Sequence, residues 1–257
     1  MPNLYTLTNK QGLISFGGAA STDYGMVVSE AATFDSPTRK QTIYTVPGRN
    51  GSILFQEDAW NDCTRQYRVW LDEKTQYDSG GQISGGTLAE RVNAVMAWLN
   101  SKKGYQRLED NFEPDIYRLA YYSGGNEFIN KLTLVGEATL TFTCRPERFY
   151  KSGETAVVVL GTPHTVDNPT LFIAKPMFYL KGSGTVTLSA GGKTLTITLG
   201  SNEDITIDSE RMNAYQGTTN KNNQVSGEFP VLVPGTNTIA TTGTVSSLQF
   251  VPRYYTI

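Results

Sequence analysis

From Thr185 to Leu199, apolar and hydroxyl-bearing side chains alternate with a period of two on either side of a Gly191-Gly192 pair. No other feature constrains the chain as much. A β-strand places successive side chains on opposite faces. Two glycines between two such runs supply the left-handed backbone that a two-residue hairpin loop needs. With Gly191-Gly192 as the loop, Leu188 faces Leu195 and Val186 faces Ile197. Those four then share one face, and Thr187, Ser189, Thr194, Thr196 and Thr198 share the other. Further strands are expected at 171–180, 204–208, 228–233, 237–241 and 245–251. Pro234-Gly235 fits a type II turn, because proline fixes the first corner and glycine accepts positive φ at the second. Short strands at regular spacing argue for a β-sandwich.

The chain reads as mainly β, in two β-rich domains: 1–148, which carries the one convincing helix, and 149–257, whose last strand can return to the first domain. Between them Val157-Val158-Val159-Leu160 is a connector or a first strand, bounded by Gly and Pro. The helix begins at Thr87, where Glu90 three residues on completes a capping box. Leu88, Val92, Val95, Met96 and Leu99 then form one apolar stripe, with Trp98 at its edge. Lys102 and Lys103 suit the negative end of the helix dipole, and Gly104 is a stop. Residues 72–86 are polar and Gly-rich, and read as a long loop or an extended arm toward a neighbouring subunit.

A chain of 257 residues can bury a sizeable core. Its 22 basic and 24 acidic residues leave a net charge of −2, which gives no general attraction to nucleic acid. The first 25 residues hold no apolar run behind a basic leader, so no secretory signal is expected, and no stretch is long and apolar enough to span a membrane. Cys63 and Cys144 are expected as two reduced, buried thiols in a protein folded in cytoplasm, with a single disulfide as the alternative.

Catalytic chemistry finds little material. The one histidine, His164, follows Pro163 in the linker and reads as solvated. It has no second histidine or nearby cysteine with which to hold zinc, and no GxSxG elbow presents a serine to it. Glu109, Asp110, Glu113 and Asp115 are the remaining candidates for a hydrolase, since paired carboxylates can act as acid and base. Crowded into one polar segment, they read instead as a solvated loop, with calcium binding as the lesser alternative. Asp204 and Asp208 alternate with Ile205 and Ile207, as on the outward face of a strand. Gly182-Ser183-Gly184 lacks the lysine of a phosphate loop and reads as a turn. Trp60, Trp70, Trp98, Tyr121, Tyr122, Tyr254 and Tyr255 could stack on sugars, which keeps a carbohydrate-binding module for host cell-wall adsorption as the alternative function. No catalytic, cofactor-binding or metal-ligating residue is assigned, and no enzyme is expected.

Several segments in order resemble the distal tail protein family of long-tailed, non-contractile bacteriophages. They include Ser15-Phe16-Gly17-Gly18, Asp23-Tyr24-Gly25-Met26-Val27-Val28 and Val46-Pro47-Gly48-Arg49-Asn50-Gly51-Ser52. Ala97-Trp98-Leu99, Pro114-Asp115-Ile116-Tyr117 and Phe142-Thr143-Cys144-Arg145-Pro146-Glu147-Arg148-Phe149 follow. Asn168-Pro169-Thr170, Lys181-Gly182-Ser183-Gly184, Gly227-Glu228-Phe229-Pro230, Pro234-Gly235-Thr236-Asn237 and Pro252-Arg253-Tyr254-Tyr255 carry the likeness to the end. The resemblance implies a structural hub at the tail tip of the virion. In it the first domains form a ring, usually a hexamer, around a central channel for DNA, and a galectin-like β-sandwich sits outside each. It also implies partners: the tail tube protein on one face, a lysin-like tail-tip protein on the other and, in some members, a receptor-binding protein. Neither sequence-specific nucleic acid nor a membrane is among them.

Overall fold

The computed structural model describes residues 12–31, 36–72, 87–124, 129–131 and 135–257. The proposed arm at 72–86 therefore lies outside the described residues, apart from Asp72 at a strand end. Two compact units form, Met1–Arg148 with Ile257, and Phe149–Thr256.

The first unit contains β1 (Ile14–Phe16), β2 (Ala19–Ala20), β3 (Met26–Ala31), β4 (Arg39–Thr45), β5 (Ser52–Trp60), β6 (Cys63–Asp72), α1 (Leu88–Ser101), β7 (Gln106–Asp110), β8 (Ile116–Tyr122) and β9 (Ile129–Lys131). A long β10 (Val135–Tyr150) completes its main sheet, in the order β2-β1-β7-β8-β10-β6-β3. Period-two patterning sets the register. Tyr67 pairs with Leu140 and Val69 with Ala138 across β6 and β10, and all four are buried. Gln66, Arg68 and Trp70 take the other face.

Helix α1 lays Leu88, Val95, Trp98 and Leu99 on that core, against Ile14, Phe16, Met26, Leu108 and Phe142. Its capping box is present: the Thr87 hydroxyl accepts from Glu90 N–H, and the Glu90 carboxylate accepts from Thr87 N–H. Trp98 is fully inside the core. Its indole N–H donates to Phe16 O at 3.1 Å, and its ring stacks on Tyr24 at 4.7 Å. Each such buried side chain contributes roughly 1.5–3 kcal/mol.

The second unit contains β11 (Val157–Val159), β12 (His164–Asn168), β13 (Met177–Ala190), β14 (Lys193–Asp208), β15 (Asn213–Gln216), β16 (Thr219–Asn220), β17 (Val225–Gly227), β18 (Gly235–Val251) and β19 (Tyr255–Thr256). The predicted hairpin is β13–β14, with Leu188 opposite Leu195 and Val186 opposite Ile197. Gly191 and Gly192 have φ of 59° and 77°. β13, β14 and β18 are longer than the pattern suggested, and each runs through both halves of the unit. The register shifts where they bend, between Gly182 and Gly184 on β13. There the backbones approach so closely that a Cβ on Gly182 would lie 2.4 Å from Thr244 O, and one on Gly243 2.4 Å from Thr185 O. Side chains from both halves, Phe178, Ile207 and Phe250 with Val186, Leu195 and Ile239, form a single buried cluster, so the curled sheet closes over its own core.

Three expectations change. Residues 237–241 and 245–251 belong to one strand, β18. The segments 171–180 and 228–233 shrink to strand only from Met177 and to an isolated bridge between Ala174 and Leu232, because Pro176 and Pro230 lack the amide that a ladder needs. Gly182-Ser183-Gly184 is a bulge within β13 rather than a turn.

Candidate functional site

The carboxylate cluster is not a solvated loop. Asp110 closes β7 with its side chain 1% exposed, facing Arg65 of β6 and Arg118 of β8. Its Oδ2 accepts from the Tyr67 hydroxyl at 2.5 Å and from Arg65 Nη2 at 3.2 Å. Its Oδ1 accepts from the N–H groups of Phe112 at 3.0 Å and Glu113 at 2.9 Å, which fixes the turn leading to β8. Glu113 pairs with Arg118, with Arg65 at 3.5 Å and with Arg148 at 3.7 Å. Glu109 pairs separately with Arg107, whose guanidinium lies 3.7 Å from the Tyr117 ring centroid, and Asp115 is exposed.

The electrostatics favour fixed charge over proton transfer. Burial, then the Asp110 carboxylate, pushes the Tyr67 phenol far above its usual range. Burial works against the charge on Arg65, but Tyr67, Asp110 and Glu113 together hold its pKa above the ordinary value. Neither group exchanges a proton near neutral pH. The cluster is a set of mutual counter-ions inside a folded core, closed to a substrate, and it serves structure rather than hydrolysis.

The other candidates are dispersed. His164 does not sit in a linker loop but opens β12 opposite Ile239, edge-on to Phe250 at 6.5 Å. Asp208 is not on an outward face. It is 2% exposed at the end of β14 and receives both Nη atoms of Arg253, at 2.7 and 3.1 Å. Burial resists ionisation of Asp208, but the hydrogen bonds from Arg253 and the N–H groups of Arg211 and Glu210 hold its pKa below the usual carboxylate value. Trp98 and Tyr254 are buried, and Trp60 lies under the Arg39 guanidinium at 4.5 Å. Among the described residues no group of three or more potential ligands could hold a metal ion, and no helix is long and apolar enough to cross a membrane.

What the sequence reading missed is a projecting hairpin. β4 and β5 pair only with each other, as a two-stranded sheet of their own. Ile43 opposite Leu54 lies on one face, and Tyr44 with Phe55, ring centroids 5.7 Å apart, on the other. All four are half or more exposed: 57% for Ile43, 56% for Tyr44, 50% for Leu54 and 60% for Phe55. A lone hairpin is marginal in water, and large apolar side chains exposed on both of its faces mark a contact surface. The alternating apolar residues at 42–45 and 52–55 around a Gly-containing turn carried this pattern. Nothing local showed that neither face would meet the core.

Fold and surface together define a two-unit β protein that offers contact surfaces rather than a reaction centre. No family model and no curated protein matches the chain. Among solved structures it is similar to the Dit protein (gp 19.1) of phage SPP1, whose crystal structure is described as a paradigm of hub adsorption apparatus in Gram-positive infecting phages. The two superpose with a TM-score of 0.71 at 14% identity, over 96% of this chain and 99% of that chain. The likeness establishes a shared fold along essentially the full length.

Proposed function

We propose that this chain is a structural hub of a bacteriophage tail tip. In this reading it assembles as a hexameric ring around a DNA channel, joins the tail tube to the tail-tip and host-adsorption proteins, and has no catalytic role. It folds in the host cytoplasm and ends in the virion. The observation that carries the reading is the full-length fold likeness to a hub adsorption protein. Two features of the chain support it. The β4–β5 hairpin exposes Ile43, Tyr44, Leu54 and Phe55 with no intramolecular core to cover them. The net charge of −2 suits a channel that must release DNA.

A ring closes when a heterologous contact repeats around an axis. Burying the four hairpin side chains against a neighbour contributes about 1–2 kcal/mol each, enough to dominate such a contact. Light scattering on the full chain, with the Leu54→Asp/Phe55→Asp double variant beside it, tests the proposal. The wild type is expected at hexamer mass and the variant as a folded monomer. A wild type that stays monomeric at high concentration and binds neither tail-tube nor tail-tip protein would sink it.

A further inference from the structure

Cys63 and Cys144 stand directly opposite each other at the end of the β6–β10 ladder. Both side chains point to the core face. Cys144 continues the buried series Ala138, Leu140 and Phe142, and Cys63 packs against the same cluster. Directly opposed residues of an antiparallel pair have Cβ atoms about 4.5–5.5 Å apart and Cα atoms within the ~4.4–6.8 Å that disulfides span. The two thiols are already hydrogen-bonded to each other, and this contact together with burial pushes the Cys144 thiol well above its usual pKa. Cys144 is fully enclosed, whereas Cys63 is partly exposed.

We propose that Cys63 and Cys144 are an oxidisable pair that closes into a β6–β10 cross-strand disulfide when the protein leaves a reducing compartment for one containing low-molecular-weight disulfides. The steps balance by thiol–disulfide exchange. The accessible Cys63 thiolate attacks one sulfur of the small disulfide, forms a mixed disulfide and expels one thiolate. Cys144 then attacks the Cys63 sulfur and forms the intramolecular bond. Its proton goes to the second small thiolate that leaves. The two cysteines lose two electrons and two protons, and one small disulfide becomes two thiols. Because Cys144 is shielded and its thiol holds its proton, the order of attack is fixed, with Cys63 first.

The position gives the bond a consequence. Cys63 is the first residue of β6, separated from the end of the projecting hairpin at Trp60 only by Asn61 and Asp62. Oxidation therefore pins the root of the hairpin to β10. The test incubates the full chain with oxidised glutathione, quenches with an alkylating agent, and maps peptides without reduction. A peptide joining Cys63 to Cys144, with neither residue alkylated, is expected. So is a higher thermal midpoint that falls back with dithiothreitol and is absent in Cys63→Ser. A stable glutathione adduct on Cys63, a bond between chains, or two alkylated cysteines overturns the proposal.

Discussion

Asp110→Asn is the sharpest test of how the first unit holds together. The wild-type network sets the guanidiniums of Arg65, Arg118 and Arg148 against the carboxylates of Asp110 and Glu113. Asparagine keeps the shape and lets Oδ1 go on accepting from the N–H groups of Phe112 and Glu113. It removes one of the two negative charges. Arg65, 3% exposed, is then left with Glu113 alone at 3.5 Å. Breaking a buried pair costs about 3–5 kcal/mol, and the retained turn bonds place this variant near 3. For a unit of this size that is roughly 6–12 °C in midpoint. With a urea slope of about 2 kcal/mol/M, it is also about 1.5 M in denaturation midpoint. Trp60, Trp70 and Trp98 all lie in the first unit, so tryptophan fluorescence reads its unfolding without contribution from the second. The matched control is Arg65→Met/Asp110→Leu. It removes one charge of each sign and should fall within about 1 kcal/mol of the wild type, since apolar replacement of a whole buried pair is nearly neutral. If Asp110→Asn is as stable as the wild type, or the double variant is as unstable as the single, the counter-ion account is wrong.

Two further outcomes are expected in the second unit. Asn168→Ala removes a side chain that donates to Phe172 O at 2.9 Å and Leu232 O at 3.0 Å and accepts from both the N–H and hydroxyl of Thr170, so a loss of about 2–4 kcal/mol is expected by calorimetry. Asp208 has a folded pKa below its unfolded value, so its contribution is complete above the unfolded carboxylate pKa and disappears as pH falls through the lower folded pKa. Acid titration of Arg253→Leu should show less of this acid-dependent loss than the wild type, because its stabilisation is already missing at neutral pH.

The parts of this fold that were legible in the sequence are those set by neighbours in the chain. The β13–β14 register followed from alternation around Gly191-Gly192, and the helix start from Thr87 and Glu90, which touch across three residues. What was not legible depends on partners far away in sequence. Asp110 looked solvated because its own segment is polar, yet Arg65 arrives from 45 positions upstream to bury it. Asp208 was misread in the same way, since Arg253 also meets it from 45 positions away. Trp98 sat at the edge of the helical stripe, and only the course of β1 past its indole N–H encloses it. The β4–β5 hairpin inverts the problem. Its pattern is that of a strand pair with faces to cover, and the chain supplies no cover of its own.

The bends in β13, β14 and β18 have one last consequence. The same three strands run through both halves of the second unit, and crowding at Gly182 and Gly243 marks where they turn. A sandwich made of two separate leaves can part along the seam between them. This one has no seam, so peeling a strand from either half drags on its continuation in the other. The unit should resist stretching as one piece and give way all at once, a useful property for a part that bears load.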